Sequence, residues 1–212
     1  MKRIRNAFLL TAVLLAPAAL AVPASAVVRM AESQDGAANT LVQHDAGSPS
    51  QEHIKELFFD AARSGRDDLL GGLIQSGMDP DERDPRGYTA LILAAYNGKG
   101  ATVDFLIQKG ANPCATDAKG SSSLMGVAFK GETEIAQRLI VAGCDVNARN
   151  NAGQTALMMA SMFGQFEVVK LLLENGANPT LQDNAGNTAI ILAQQQSNPR
   201  MVALLTRVAK GQ

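Results

Sequence analysis

The sequence predicts an all-α protein, a solenoid of about five helix-turn-helix repeats with projecting hairpin loops. Three observations predict it. Glycines recur every 33 residues in three independent columns: Gly87, Gly120, Gly153 and Gly186; Gly65, Gly98, Gly131 and Gly164; Gly77, Gly110, Gly143 and Gly176. Each glycine of the first column closes an Asx-x-x-Gly tetrad and is followed two residues later by a hydroxyl residue. Apolar positions repeat at the same interval. A fixed period of this length marks units that cannot bury an apolar face alone and so stack into one elongated core.

Each unit begins with a turn. Asp84-Pro85-Arg86-Gly87, Asp117-Ala118-Lys119-Gly120, Asn150-Asn151-Ala152-Gly153 and Asp183-Asn184-Ala185-Gly186 place Asx first and Gly fourth. The Asx side chain bonds nearby backbone and Gly tolerates the exit geometry. Thr89, Ser122, Thr155 and Thr188 then stand before apolar runs, as helix N-caps do. Nine residues on, the second glycine column ends a short helix. The third column ends a longer one, as in 103–109 and 166–175, where glycine at C′ turns left-handed. Phe58, Leu91, Leu124, Leu157 and Ile190 form one apolar column, and Ala61, Ala94, Val127, Ala160 and Ala193 another. Leu69, Thr102, Ile135, Val168 and Met201 run beside Leu73, Leu106, Leu139, Leu172 and Leu205 on the second helix. The repeats fall at about 51–83, 84–116, 117–149, 150–182 and 183–209. The first lacks the turn and opens with Ser48-Pro49-Ser50-Gln51, which predicts Ser48 as N-cap, Pro49 at N1 and Gln51 completing the cap. The last carries Gln194-Gln195-Gln196 and ends polar, as a terminal repeat facing solvent should.

The run Gly87-Tyr88-Thr89-Ala90-Leu91, Ala94-Ala95, Gly98, Phe105-Leu106 and Gly110-Ala111-Asn112 resembles the ankyrin repeat pattern G-x-T-P-L-H-x-A-A-x-x-G…L-L-x-x-G-A, and Asn151–Asp183 is the nearest copy in the chain. The resemblance covers residues 51–207 and implies an ankyrin-repeat solenoid of paired antiparallel helices with hairpins at right angles. The family's Pro and His after the cap are replaced by Ala90 and Ile92, Ser123 and Met125, Ala156 and Met158, and Ala189 and Ile191. Aliphatic packing is therefore expected in place of histidine hydrogen bonds between repeats.

Ahead of the repeats, Lys2, Arg3 and Arg5 precede an apolar stretch interrupted by Pro17, and Ala24-Ser25-Ala26 forms a small-x-small cleavage site. This predicts a signal peptide over 1–26, cleaved after Ala26, with the mature protein in the periplasm or secreted and without a stable membrane anchor. The alternative is a retained anchor, for which the apolar core is short. Residues 27–50 are polar and small, and read as a flexible tether. The formal net charge is −1, with 19 basic and 20 acidic residues; without the three leader cations it is −4. Nothing in that balance steers the chain to nucleic acid or anionic lipid.

Chemistry is sparse. The two histidines, His44 and His53, lie at or before the first helix. No nucleophile motif, phosphate loop or zinc signature occurs, so no catalytic residue, cofactor or metal is expected. Asp79, Asp81, Glu82 and Asp84 are acidic and adjacent, but Pro80 interrupts them and no calcium-loop spacing results. A solvated hairpin is the plainer reading. Cys114 and Cys144 are the only cysteines. An even count after a leader favours a disulfide, yet the two occupy different repeat positions, and buried free thiols are the alternative. Met125, Met158, Met159 and Met162 fit core positions; oxidant scavenging or copper binding is the competing reading.

In ankyrin proteins the concave surface of hairpin tips and first helices is the usual binding face. Carried onto this chain, that face comprises Tyr96, Asn97, Phe129, Lys130, Met162 and Phe163, with Arg86, Tyr88, Lys119, Gln154 and Asn187 at the hairpin tips. Aromatic and Met anchors within a cationic rim resemble the centre of a protein interface. The competing reading tucks Phe129 and Phe163 under adjacent loops. The functional expectation is a monomeric, non-enzymatic periplasmic adaptor or inhibitor-like module for one protein partner, whose identity the sequence does not name. Alternatives are an accessory to a peroxide-detoxifying enzyme, a toxin-immunity protein, or a Met/Cys metal or oxidant buffer.

Overall fold

The computed structural model describes residues 50–210, so the expected leader (1–26) and the expected tether (27–50), except for Ser50, lie outside the described residues. Ten helices follow one another in five pairs: α1 (Gln51–Ser64) and α2 (Asp67–Gln75), α3 (Ala90–Tyr96) and α4 (Gly100–Gln108), α5 (Ser123–Lys130) and α6 (Thr133–Val141), α7 (Ala156–Met162) and α8 (Phe166–Glu174), α9 (Ala189–Gln195) and α10 (Pro199–Ala209). Each first helix packs on its own second helix and on the first helices of neighbouring pairs. The row of first helices is the more closely packed, since Ala90, Ala94, Ala95, Ala128 and Ala160 let its backbones approach. The second helices touch one another less, which leaves the row of first helices the tighter side of the stack.

Thr89, Ser122, Thr155 and Thr188 cap α3, α5, α7 and α9, each accepting a backbone N–H three residues on at 3.3 Å. The first helix corrects the sequence expectation. Its cap is Ser50, not Ser48, and its first helical residue is Gln51, so Pro49 is not at N1 and Gln51 is not the N3 residue. Ser50 is extended (φ −56°, ψ 149°) and its Oγ takes the His53 N–H, which places the start of the helix after it. α1 is also longer than α2, reversing the short-then-long order of the middle repeats. α4 starts at Gly100, three residues before the expected 103.

The hairpins form a ladder. In each tetrad the glycine N–H donates to the Asx carbonyl at 2.8–3.0 Å, and the Asx side chain accepts two further N–H groups. Successive hairpins are then joined backbone to backbone: Ala118 donates to Arg86, Asn151 to Lys119 and Asn184 to Ala152, at 2.9–3.0 Å. The glycine is needed there on two counts. Gly87 has φ +82°, and a Cβ on it would lie 2.6 Å from the Ala118 nitrogen.

The core runs the length of the stack. Phe58, Leu91, Leu124 and Leu157 are buried, as are Leu106, Leu139, Leu172 and Leu205; Ile190, Leu69 and Leu73 at the ends of their columns are partly covered. Ile92, Met125 and Met158 are buried at the family's histidine position, in line with aliphatic replacement, although Ser123 still donates across the junction to the Pro113 carbonyl at 2.6 Å.

Cys114 and Cys144 are disulfide-bonded, with Cα atoms 5.2 Å apart. A helix diameter separates stacked repeats, but the loop after each second helix leans onto the next repeat. At the equivalent of Cys114, Asp81 accepts the Asn112 N–H and Asn147 accepts the Asn178 N–H, both at 2.8 Å. The disulfide stands where the other junctions carry a hydrogen bond.

Ser197 (φ +54°) is the one non-glycine residue with positive φ among the described residues, and it occupies the column of Gly98, Gly131 and Gly164. A side chain there costs about 1 kcal/mol relative to glycine. Ser197→Gly is therefore expected to stabilise the fifth repeat by about that amount, read as a raised midpoint in urea.

Candidate protein-binding face

Tyr96 ends α3, Phe129 and Lys130 end α5, Met162 ends α7, and Phe163 is its C-cap. One repeat apart, these side chains emerge side by side. The Tyr96 and Phe129 rings stack with centroids 6.1 Å apart and planes 13° from parallel. Phe129 meets Phe163 edge to face at 4.3 Å. Tyr96 is 42% exposed and Phe163 47%, while Phe129 is half-buried between them. The rings thus form a continuous array across three repeats, open to solvent at both ends, and do not lie beneath the loops. Met162 is partly covered beside it, with Met159, whereas Met125 and Met158 are core.

The hairpin and helix columns share one surface. In the fifth repeat the Gln195 side chain donates to Asn187 at 3.4 Å. Near the other end, the buried Asp84 carboxylate lies 4.0 Å from Arg63 on α1 and 3.5 Å from Arg86 at a hairpin tip. Arg86 also covers the Tyr88 ring at 4.8 Å, and Lys130 covers Tyr96 at 5.2 Å. Such cation–π pairs hold the cations against the rings.

Other expected contact residues serve the scaffold. The Asn97 amide donates to the Leu93 carbonyl at 2.8 Å and finishes α3. The Gln154 side chain accepts from Asn150, and Asn187 donates to both oxygens of Asp183, each at 3.2 Å. Burial alone would raise the Asp183 carboxyl, but N–H donors from Asn187 and Ala185 and the nearby Arg149 outweigh it and hold it below its usual range. Lys119, at its tip, is exposed. The period of 33 sets Arg63 in the column of Tyr96 and Arg86 at a hairpin tip of the same face, but the place of the Asp84 carboxylate between them was not legible in the sequence. Asp84 reads there as a turn residue, and Arg63 lies 21 positions earlier on another element.

The acidic run is consumed by the hairpin. Asp79 accepts the Asp81 N–H, Asp81 reaches Asn112, Glu82 pairs with Lys55 at 2.7 Å and Asp84 closes its turn. Among the described residues no group of three or more His, Cys, Asp or Glu could hold a metal ion, and no helix is long and apolar enough to cross a membrane.

The family model described as ankyrin repeats (3 copies) matches residues 30–117, 58–150 and 124–211. The chain belongs to the ankyrin repeat family. No curated protein matches the chain. Ankyrin repeats generally mediate protein–protein interaction, which supports a protein-binding module here.

Proposed function

We propose that this ankyrin-repeat protein is a non-enzymatic adaptor or inhibitor-like module that docks one protein partner on its concave face, in the periplasm or outside the cell. The observation that carries the proposal is the Tyr96–Phe129–Phe163 array, exposed at both ends and bordered by cations. Rigid aromatics supply a large contact area at little entropic cost, which is why they dominate interface energetics. The Cys114–Cys144 bond supports an oxidising compartment and hence export. A sulfur buffer is less well supported, because both cysteines are bonded and Met125 and Met158 are buried.

A photocrosslinking side chain at the exposed hairpin-tip position Lys119, carried by both the wild-type and the variant protein, tests the proposal in extract from the producing cells. Capture of one partner is expected, with affinity lowered by at least about a hundredfold in Tyr96→Ser, Phe163→Ser protein, two anchors at about 2 kcal/mol each. Equal capture by the folded variant would refute it.

A further inference from the structure

Charge is divided unequally over the ankyrin stack. On the surface of hairpins and first helices, Arg63, Arg86, Lys119 and Lys130 border Tyr88, Tyr96 and Phe129. The carboxylates nearest those cations are committed. Asp84 accepts the Arg86 and Tyr88 N–H groups at 2.9 Å and lies between two guanidiniums. Asp117 accepts the Lys119 and Ser121 N–H groups at 2.8 Å. Asp60, at the edge, pairs with Arg63 at 2.6 Å. Among the described residues no carboxylate lies within 4.0 Å of Lys119 or Lys130. Toward the last repeats the face turns to amides, Gln154, Asn187 and Gln195. Acidic side chains gather instead at the starts of the second helices, as Asp67, Asp68, Glu134 and Glu167.

We infer that the concave face takes an acidic protein segment, with carboxylates beside an apolar anchor that sits on the aromatic array. Its acidic part lies over the first three repeats and its neutral part over the last two. The inference rests on the concave-face reading above. A carboxylate arriving at Lys119 or Lys130 meets a cation that no resident acid pairs, while a basic segment meets like charge at the same two positions. A long polyanion such as single-stranded nucleic acid is disfavoured, because it would also run past the acidic remainder of a chain with net charge −1.

The test pans the purified full chain against displayed random linear peptides at low salt. Two variants run beside it: Tyr96→Ser, Phe163→Ser, and Arg86→Glu, Lys119→Glu, Lys130→Glu. All five positions lie at least partly on the surface, and a thermal melt checks that both variants fold. Enrichment of acidic peptides containing an apolar residue is expected, with affinity lowered about tenfold or more by charge reversal and by raised salt. Peptides that depend on the aromatics but are neutral or basic, or are indifferent to charge reversal, would overturn this inference and leave the concave-face reading standing. Equal binding to the aromatic variant, or no enrichment, would overturn both. Displacement of acidic peptides by a thymidine oligonucleotide at comparable affinity would overturn the protein partner in favour of nucleic acid.

Discussion

Replacing Cys114 and Cys144 by serine is expected to lower the unfolding free energy by about 3.5 kcal/mol, the loop-closure value for a separation of 30 residues. The bond spans the third repeat, since α5 and α6 both lie between its cysteines. Without it, the second and third repeats are joined by the Ala118–Arg86 backbone bond, the Ser123–Pro113 bond, the Arg138–Asp104 ion pair and helix packing. Urea titration with and without reductant measures the effect. The wild-type midpoint should fall on reduction to that of the serine variant, and the variant should be indifferent to reductant. A reduced wild type as stable as the oxidised protein would show that the bond does not constrain the unfolded chain.

Leu139→Ala is expected to cost about 3 to 4 kcal/mol, the range for a fully buried leucine whose surroundings cannot collapse. Leu139 is 0% exposed at the centre of α6, and α6 packs on α4, α5 and α8. Because each repeat touches only its neighbours, damage at the middle weakens two junctions at once. Leu205→Ala removes an equally buried side chain from α10, which packs chiefly on α9. It should instead release the fifth repeat locally. Hydrogen exchange separates the two, because Leu139→Ala should lower protection throughout the stack, whereas Leu205→Ala should lower it in α9 and α10 alone. Identical exchange patterns would mean that the stack unfolds as one unit.

The repeat architecture was legible because its causes are local. An Asx-x-x-Gly tetrad bonds within five residues, and a hydroxyl cap reaches three residues ahead, so both leave a signature at fixed spacing. The start of α1 was misplaced for a related reason. Ser48 and Ser50 both suit a cap, Pro49 suits N1, and only the realised hydrogen bond to His53 selects Ser50. The aromatic array of the proposed binding face was half legible. A period of 33 aligned Tyr96, Phe129 and Met162, but the rings meet as Tyr96, Phe129 and Phe163, with the contact stepping one position along at the fourth repeat.

The sequence by itself determined the number of repeats, the positions of the turns and of the four caps Thr89, Ser122, Thr155 and Thr188, and the residues of the core, since a stack of like units carries each constraint once per period. The tertiary structure decided what depends on the offset between neighbouring repeats. The lean of each loop onto the next repeat brings Cys144 to Cys114, and the same offset sets Asp84 between Arg63 and Arg86. That offset is a property of two packed surfaces. No spacing along one chain records it.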